Sequence, residues 1–312
     1  MSDIVTITPN PAVDISTTVE KIVPVAKLRG TTQQRDPGGG GINVARVIAR
    51  LGGDVTALYP VGGPTGLLLK QLVEKEGVAS RTWATAEDTR EDFFVQERVS
   101  GQPYRFILPG PTLTEAEWQA GLALLAAQDP FPRFVVGSGS LPRGVPTDFY
   151  ARVATLARSR GAQFVLDTSG PALAAAVAGG IDLMKPSLHE MQELVGGPLP
   201  DATAWEKAAH ALVASGKAGT VALTMGHLGA LLVTRDRVLR AQPLTMVPVN
   251  AVGAGDSFLG ALVAKLAAGE LLDDAFRFAV AAGAAALLRT GTALSDPADV
   301  SRLQADVRLE TA

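Results

Sequence analysis

A chain of 312 residues, 47% of them hydrophobic, is long enough for a large core and too apolar to remain unfolded. Its 28 basic and 31 acidic residues leave a net charge of −3 with no Lys/Arg block, which argues against nucleic acid as a partner. There is no Cys, so disulfides and thiolate metal sites are excluded, and no apolar run reaches the roughly 20 residues a membrane span needs.

The first residues carry no basic segment and enter a strand pattern at once, so no signal peptide is read there and the cytoplasm is the expected compartment. Short β-branched runs then alternate with longer Ala/Leu-rich amphipathic ones. That is the pattern of βαβ units around a doubly wound, mainly parallel sheet flanked by helices, so the expected class is α/β with residues 1–312 as one domain. A first strand is expected over 4–8. A helix over 43–51 follows, with Val44, Val47, Ile48 and Leu51 on one face. Next come a strand over 55–60 and a helix over 66–76. Further on lie a helix over 115–128, a strand over 134–136, a helix over 148–160 and a strand over 163–166. Strands near Leu183 and over 221–224 flank a helix over 204–214, and the last long helices cover 256–268 and 273–288.

Two stretches break this rhythm. Residues 14–35 are rich in Thr and Val without a helical period, and 91–108 read as strands 92–98 and 104–108 around a Ser100-Gly101 turn. With no helix attached to either, a small β-sheet standing off the main one is expected. It would serve as a lid or a dimer contact, with Phe94, Val99 and Phe106 or their neighbours on its outer face. The alternative is an antiparallel extension of the main sheet's edge.

The strongest chemical signal is Asn250-Ala-Val-Gly-Ala-Gly-Asp-Ser-Phe258. Gly253, Ala254 and Gly255 leave no bulk over the first N–H groups of the helix that follows, which makes an anion site. A carboxylate at Asp256 stays ionised at neutral pH and could take a proton from a hydroxyl attacking phosphorus. Alternatively, Asp256 is only the cap of its helix. The second signal is Asp36-Pro-Gly-Gly-Gly-Gly-Ile-Asn43, where backbone could approach a phosphate or a sugar, with Asn43 on its hydroxyls; the plainer reading is a flexible turn. No P-loop occurs. Gly137-Ser-Gly-Ser-Leu-Pro-Arg-Gly144 is a poor dinucleotide fingerprint, since Pro142 takes the place of its third Gly. His189, His210 and His227 are scattered and read as surface residues.

Together these residues resemble the PfkB family of carbohydrate kinases, with the ribokinase-like fold. The likeness spans the chain: Thr8-Pro-Asn-Pro-Ala-Val-Asp14, residues 38–53, Ser138-Gly-Ser-Leu-Pro142, Lys185-Pro186 with Glu190, and residues 253–256. The resemblance implies an ATP-dependent kinase with Asp256 as base and the amides of Gly253, Ala254 and Gly255 as anion hole. It puts the sugar on Asp14, Gly38, Gly39, Gly40, Gly41 and Asn43, and the substrate phosphate on Lys27 and Arg90 with help from Ser140. It gives Lys185, Ser187, Thr224, Gly226 and Gly229 to the nucleotide, and Glu190 to Mg2+. Ser187 stands where the family has Asn. Some relatives bind a monovalent cation near the head of the glycine motif and near 286–291, and Asn250-Ala251 is where this chain departs from them. The Thr-Pro-Asn-Pro-Ala opening marks the branch acting on sugar phosphates. Members acting on fructose 1-phosphate or tagatose 6-phosphate typically carry Lys in the third place of the first glycine run. Gly40 stands there, which favours fructose 6-phosphate. A non-catalytic sugar-phosphate-binding protein is the rival from another class, and retention of Asp256 speaks against it.

Overall fold

The computed structural model describes residues 2–249, 252–289 and 291–311. The chain runs β1 (Ile4–Ile7), β2 (Ala12–Val19), β3 (Gln34–Gly38), α1 (Gly40–Arg50), β4 (Val55–Val61), α2 (Gly63–Lys75) and β5 (Ala79–Ala84). It continues through β6 (Arg90–Glu97), β7 (Pro103–Phe106), α3 (Glu115–Ala126), β8 (Phe134–Ser138), α4 (Phe149–Ser159), β9 (Gln163–Asp167) and α5 (Gly170–Ala178). Then come β10 (Ile181–Met184), α6 (Leu188–Val195), α7 (Ala202–Ala214), β11 (Ala218–Thr224), β12 (Ala230–Val233) and β13 (Val238–Ala241). The last elements are α8 (Ala254–Ala267), α9 (Leu272–Ala286), α10 (Pro297–Gln304) and β14 (Leu309–Thr311).

The large sheet has the order β14-β13-β12-β11-β10-β9-β8-β1-β4-β5. From β5 to β11 the neighbours are parallel, and β12, β13 and β14 add antiparallel at one edge. Successive strand residues point to opposite faces, so the sheet has two cores. Ile4 faces one, with α1, α8 and α9; Val5 faces the other, with α4, α5 and α7. Parallel strands buried on both faces carry near-continuous apolar runs, as Phe134-Val-Val136 does. All the chain segments that leave β1, β8, β9, β10 and β11 emerge at one edge, where α/β sheets bind ligands.

The small sheet is separate, in the order β3-β2-β6-β7, which rules out the edge extension. β2 pairs with β6 in parallel, Asp14 opposite Asp92, and β6 pairs with β7 as a hairpin, Phe94 opposite Arg105 and Phe93 opposite Phe106. Paired residues share a face. Asp14, Asp92, Phe94 and Arg105 therefore share one face, and Val13, Ile15, Phe93 and Phe106 the other. Phe94 is buried, against the expectation that it lies on the open face; Val99 and Phe106 are exposed as expected.

Other differences have local causes. α1 and α8 begin two or three residues earlier than their side-chain pattern indicates, because Gly40, Gly41 and Gly255 take helical geometry despite poor propensity. The hairpin's second strand stops at Phe106, and the Leu108 N–H is drawn to the Asp92 carboxylate at 2.9 Å. Short or non-periodic segments such as α5 (GPALAAAVA) and β12 (ALLV) give no pattern to read.

α1 and α8 cross closely. A β-carbon built on Gly260 would lie 2.8 Å from Val47 Cβ and 3.0 Å from the Val44 carbonyl oxygen. Ala is better than Gly in a helix by about 1 kcal/mol, whereas forcing a group into a packed contact costs about 1–3 kcal/mol. Overpacking should win, so Gly260→Ala is expected to lower the urea midpoint of unfolding; an unchanged or raised midpoint would show that the two helices can part freely.

Candidate active site

The edge where the parallel strands end, the N-terminus of α8 and one face of the small sheet come together around Asn43, Asp256 and Arg105. Gly253, in left-handed geometry with φ 76°, begins α8 and offers no side-chain cap. The next N–H groups have no partner inside the helix. Asp256 sits in this first turn without capping it: Asn43 Nδ2 donates to its Oδ2 at 2.9 Å. That removes the reading of Asp256 as a mere cap. Burial pushes the Asp256 carboxyl above its usual range, opposed by the Asn43 bond and then by Lys185, Arg105 and Arg46.

Lys185, just past β10, is buried and ion-paired with Asp167 at 3.1 Å. Its ammonium lies against Gly255, where a β-carbon would come within 3.3 Å of Nζ. Burial alone would lower its pKa, but Asp167, Glu190 and Asp256 more than offset this. Burial lifts Asp167 to about 6, with Lys185 opposing and Asp256 and Glu190 adding to the rise. Ser187 and Glu190 form a capping box on α6: Ser187 N donates to Glu190 Oε2 at 2.7 Å and Glu190 N to Ser187 Oγ at 3.3 Å. Ser and Asn cap equally well, so Ser in place of the family's Asn keeps this helix start. Among the described residues no three acidic or His side chains converge as a ready metal cage.

Beyond Lys185 a cavity of about 440 Å³ runs from Thr224, Gly226 and Gly229 to Ala254 and Gly255, with apolar walls including Leu244 and Phe258. His227 also lines its rim, and all three histidines are exposed, as expected from the sequence. Asn250, Ala251 and Thr290, where the monovalent cation is expected, lie outside the described residues.

On the other side, the glycine run serves the protein's own packing as well as any ligand. A β-carbon on Gly38 would strike the Asp14 carboxylate at 2.4 Å, and one on Gly41 would lie 2.4 Å from Thr8 Oγ1. Gly39 holds φ 107° before α1, and Gly40 lies against Ser138. A flexible turn is thereby excluded. Arg90 is braced by Asp92 at 3.3 Å, by the Leu108 carbonyl and by the Asn10 carbonyl, both at 3.2 Å, while its buried Nε has no partner among the described residues. Asn10 Nδ2 donates to Ser140 Oγ at 3.1 Å, so Asn10 ties Arg90 to Ser140. Lys27 stands apart on the exposed loop between β2 and β3, with no hydrogen bond or ion pair to the site among the described residues.

Several residues of the cleft were not singled out from sequence, Asp92 opposite Asp14 among them. Asn10 lay inside the quoted opening motif. Arg105 alternates with the apolar Tyr104 and Phe106, which marks it as facing the cleft. Asp167 ends a strand at the binding edge, and Arg46 follows Asn43 by one helical turn.

A fold of this kind with an anion-binding helix start and a carboxylate beside it defines a sugar kinase, and the chain belongs to the pfkB family of carbohydrate kinases, matched over residues 4–299. It is 44% identical over 299 residues to the ATP-dependent 6-phosphofructokinase isozyme 2 of Mycobacterium tuberculosis, covering 96% of this chain and 88% of the relative. It is also 39% identical over 280 residues to a 1-phosphofructokinase of Xanthomonas campestris, covering 87% and 85%. Phosphofructokinase-2 of Escherichia coli with fructose-6-phosphate superposes with a TM-score of 0.92 at 39% identity, over 98% of this chain and 99% of that one. The same E. coli protein has also been solved with potassium, at a TM-score of 0.93.

Asp14 gives the site a pH signature. Burial first, and then Asp92, raise its pKa to about 7 from an ordinary 3.8, against Arg105, Arg90 and Arg46. The folded protein thus holds a proton the unfolded chain releases, so this contribution to stability is present at low pH and is lost as pH rises through about 7. Asp14→Asn should remove that part of the stability–pH curve, and carboxyl NMR should show Asp92→Asn lowering the Asp14 midpoint. An Asp14 midpoint near 4 in the native protein would contradict the geometry.

Proposed function

We propose that this protein is a 6-phosphofructokinase, transferring the γ-phosphoryl group of ATP to the 1-hydroxyl of fructose 6-phosphate. The observation that carries the reading is the position of Asp256. It sits in the first turn of α8, excused from capping and held by Asn43, where an apolar cavity opens onto the same helix end. The acceptor oxygen attacks the γ-phosphorus, the bond to the ADP oxygen breaks, and the hydroxyl proton passes to Asp256. The amides of Gly253, Ala254 and Gly255 take up charge on the transferred group, and Lys185 beside Gly255 steadies the same charge. Thr224, Gly226 and Gly229 hold the nucleotide along the cavity, with Ser187 at the phosphate end. Carboxylates outnumber the lone ammonium around Lys185, so the donors suit a divalent cation; Mg2+ would be held by Glu190 with waters and would neutralise nucleotide phosphate charge. A monovalent cation near 286–291 extends the reading, supported by the potassium in the E. coli structure. The cytoplasm, where ATP and sugar phosphates meet, is the compartment that fits.

Asp14, Asn43 and the 38–41 loop hold the sugar. Arg90, Ser140 and the newly recognised Arg105 take its 6-phosphate, and Asn10 braces two of them. The relatives include a 1-phosphofructokinase, so fructose 1-phosphate is the rival substrate and tagatose 6-phosphate another. Gly40, standing where the rival enzymes typically carry Lys, favours fructose 6-phosphate; a β-carbon there would lie 2.3 Å from Ser138 Oγ, so a side chain at this place would require Ser138 to turn away.

Asp256→Asn keeps shape and removes the base. Turnover should fall by roughly 10²–10⁴-fold with KM little changed, and near-wild-type turnover would sink the assignment. Arg90→Ala should lower kcat/KM for fructose 6-phosphate by about tenfold or more, since a charge-assisted contact contributes about 1.5–3 kcal/mol. KM for ATP should stay put.

The small sheet serves as a lid and as the contact of a homodimer. Its outer face exposes Tyr104 and Phe106, and the adjoining loops expose Val25, Leu28, Val99 and Ile107. A strand edge with such a surface is sticky unless covered, and a second copy covers it symmetrically. Pairing of lids would also bring Lys27, exposed on the loop between β2 and β3, towards the interface. Light scattering should give twice the monomer mass, and Phe106→Glu should shift it to the monomer. A monomeric wild type would end the dimer reading.

A further inference from the structure

Among the described residues, the fully buried side chain that stands out is a large and charged one, Arg46. A buried guanidinium is costly unless every donor is answered, so its partners define why it is there. Nη1 donates to the Pro37 carbonyl at 3.0 Å and to Asn43 Oδ1 at 3.1 Å. Nε lies 3.3 Å from Glu76 Oε2, an ion pair that falls short of a hydrogen bond and leaves Nε itself without a hydrogen-bond partner among the described residues, and the same carboxylate holds Arg50 at 2.7 Å. Asn43 in turn donates its Nδ2 to Asp256 Oδ2 at 2.9 Å.

Only one orientation of the Asn43 amide satisfies both neighbours. A guanidinium can only donate, and an ionised carboxylate can only accept. Turned over, the amide would set its NH2 against Arg46 and its oxygen against the Asp256 carboxylate, two repulsive contacts in a water-poor site. We propose that Arg46 is a positioning residue for phosphoryl transfer: by fixing which way the Asn43 amide faces, it pins one oxygen of Asp256 and leaves the other aimed at the acceptor hydroxyl. Glu76, at the end of α2, supplies the counter-charge that keeps Arg46 in place. The bond to Pro37 ties the same guanidinium to the strand that enters the glycine loop, so the base and the sugar-holding loop share one anchor. The proposal rests on Asp256 being the base. The charged groups facing Asp256 are Arg46 from α1, Arg105 from β7, Asp167 from β9 and Lys185 after β10.

The test is a double-mutant cycle read by steady-state kinetics with ATP and fructose 6-phosphate. Arg46→Met, similar in length and uncharged, should lower kcat by about tenfold or more while KM for ATP is unchanged, since small misplacement of a catalytic group is that costly. The acid limb of the kcat–pH profile should move to higher pH, because Arg46 and the Asn43 bond both hold the Asp256 carboxyl down. In an Asn43→Ala background the same substitution should cost little further, because Arg46 acts through Asn43. Arg46→Lys keeps the charge but gathers its donors on one nitrogen, which cannot span acceptors spread around a guanidinium, so it should fold and lie between wild type and Arg46→Met. If Arg46→Met does not fold, the cycle is run with Arg46→Lys. Full additivity with Asn43→Ala, or an acid limb that does not move, would reduce Arg46 to a packing residue and overturn the proposal. That failure is separable from failure of the base assignment, which Asp256→Asn reports alone.

Discussion

The cleft depends on the crossing of α1 over α8. Gly260 lets the two helices approach until Val47 fills the space a side chain would need, and one turn away on each helix Asn43 meets Asp256. Residues four apart lie on one helix face, so Asn43 and Val47 on one side match Asp256 and Gly260 on the other. An apolar contact thereby sets the distance at which a polar one can form. The glycine loop, which leads into α1, and the anion-binding start of α8 are consequently held face to face. A helix pair that drifted apart would separate the residues assigned to the sugar from the residue assigned to the proton.

Charge is distributed around this crossing in a way that suits phosphoryl chemistry. Asp14, Asp92, Asp167, Glu190 and Asp256 crowd the cleft, and Arg46, Arg90, Arg105 and Lys185 stand between them. Burial raises Asp14, Asp167 and Asp256, and the cations restrain each of them. Phosphate groups entering such a site replace carboxylates as partners of the arginines. Under the proposed function Arg90 is the group such an exchange would involve: Asp92 and two carbonyls brace it, and its buried Nε has no partner among the described residues.

Much of this was legible in the sequence, for identifiable reasons. Alternating strand and helix patterns revealed the sheet because parallel strands are apolar on both sides and amphipathic helices cover them. The stand-off sheet was visible because 14–35 and 91–108 lack helical period. Asp256 and Asn43 stood out because small residues crowd ahead of each. Their bond did not, since it joins helices 213 positions apart in sequence and depends on Gly260, which is unremarkable on its own. Arg46 escaped because a charged residue in an amphipathic helix ordinarily faces water. The burial of Phe94 was missed because strand parity alone cannot say which face of a small sheet is covered. Lys27 was placed in the phosphate grip by resemblance, and within one chain its loop is exposed, with no hydrogen bond or ion pair to the site among the described residues.

The most direct measurement is the identity of the acceptor and its product. Purified protein is given ATP, Mg2+ and, in turn, fructose 6-phosphate, fructose 1-phosphate, tagatose 6-phosphate and unphosphorylated fructose, with product followed by phosphorus NMR and kcat/KM taken for each. Fructose 6-phosphate should have the highest kcat/KM, with fructose 1,6-bisphosphate as product and unphosphorylated fructose a very poor substrate. A higher kcat/KM for fructose 1-phosphate or tagatose 6-phosphate would contradict the substrate assignment. Absence of phosphoryl transfer to any of the four would contradict the kinase mechanism built on Asp256.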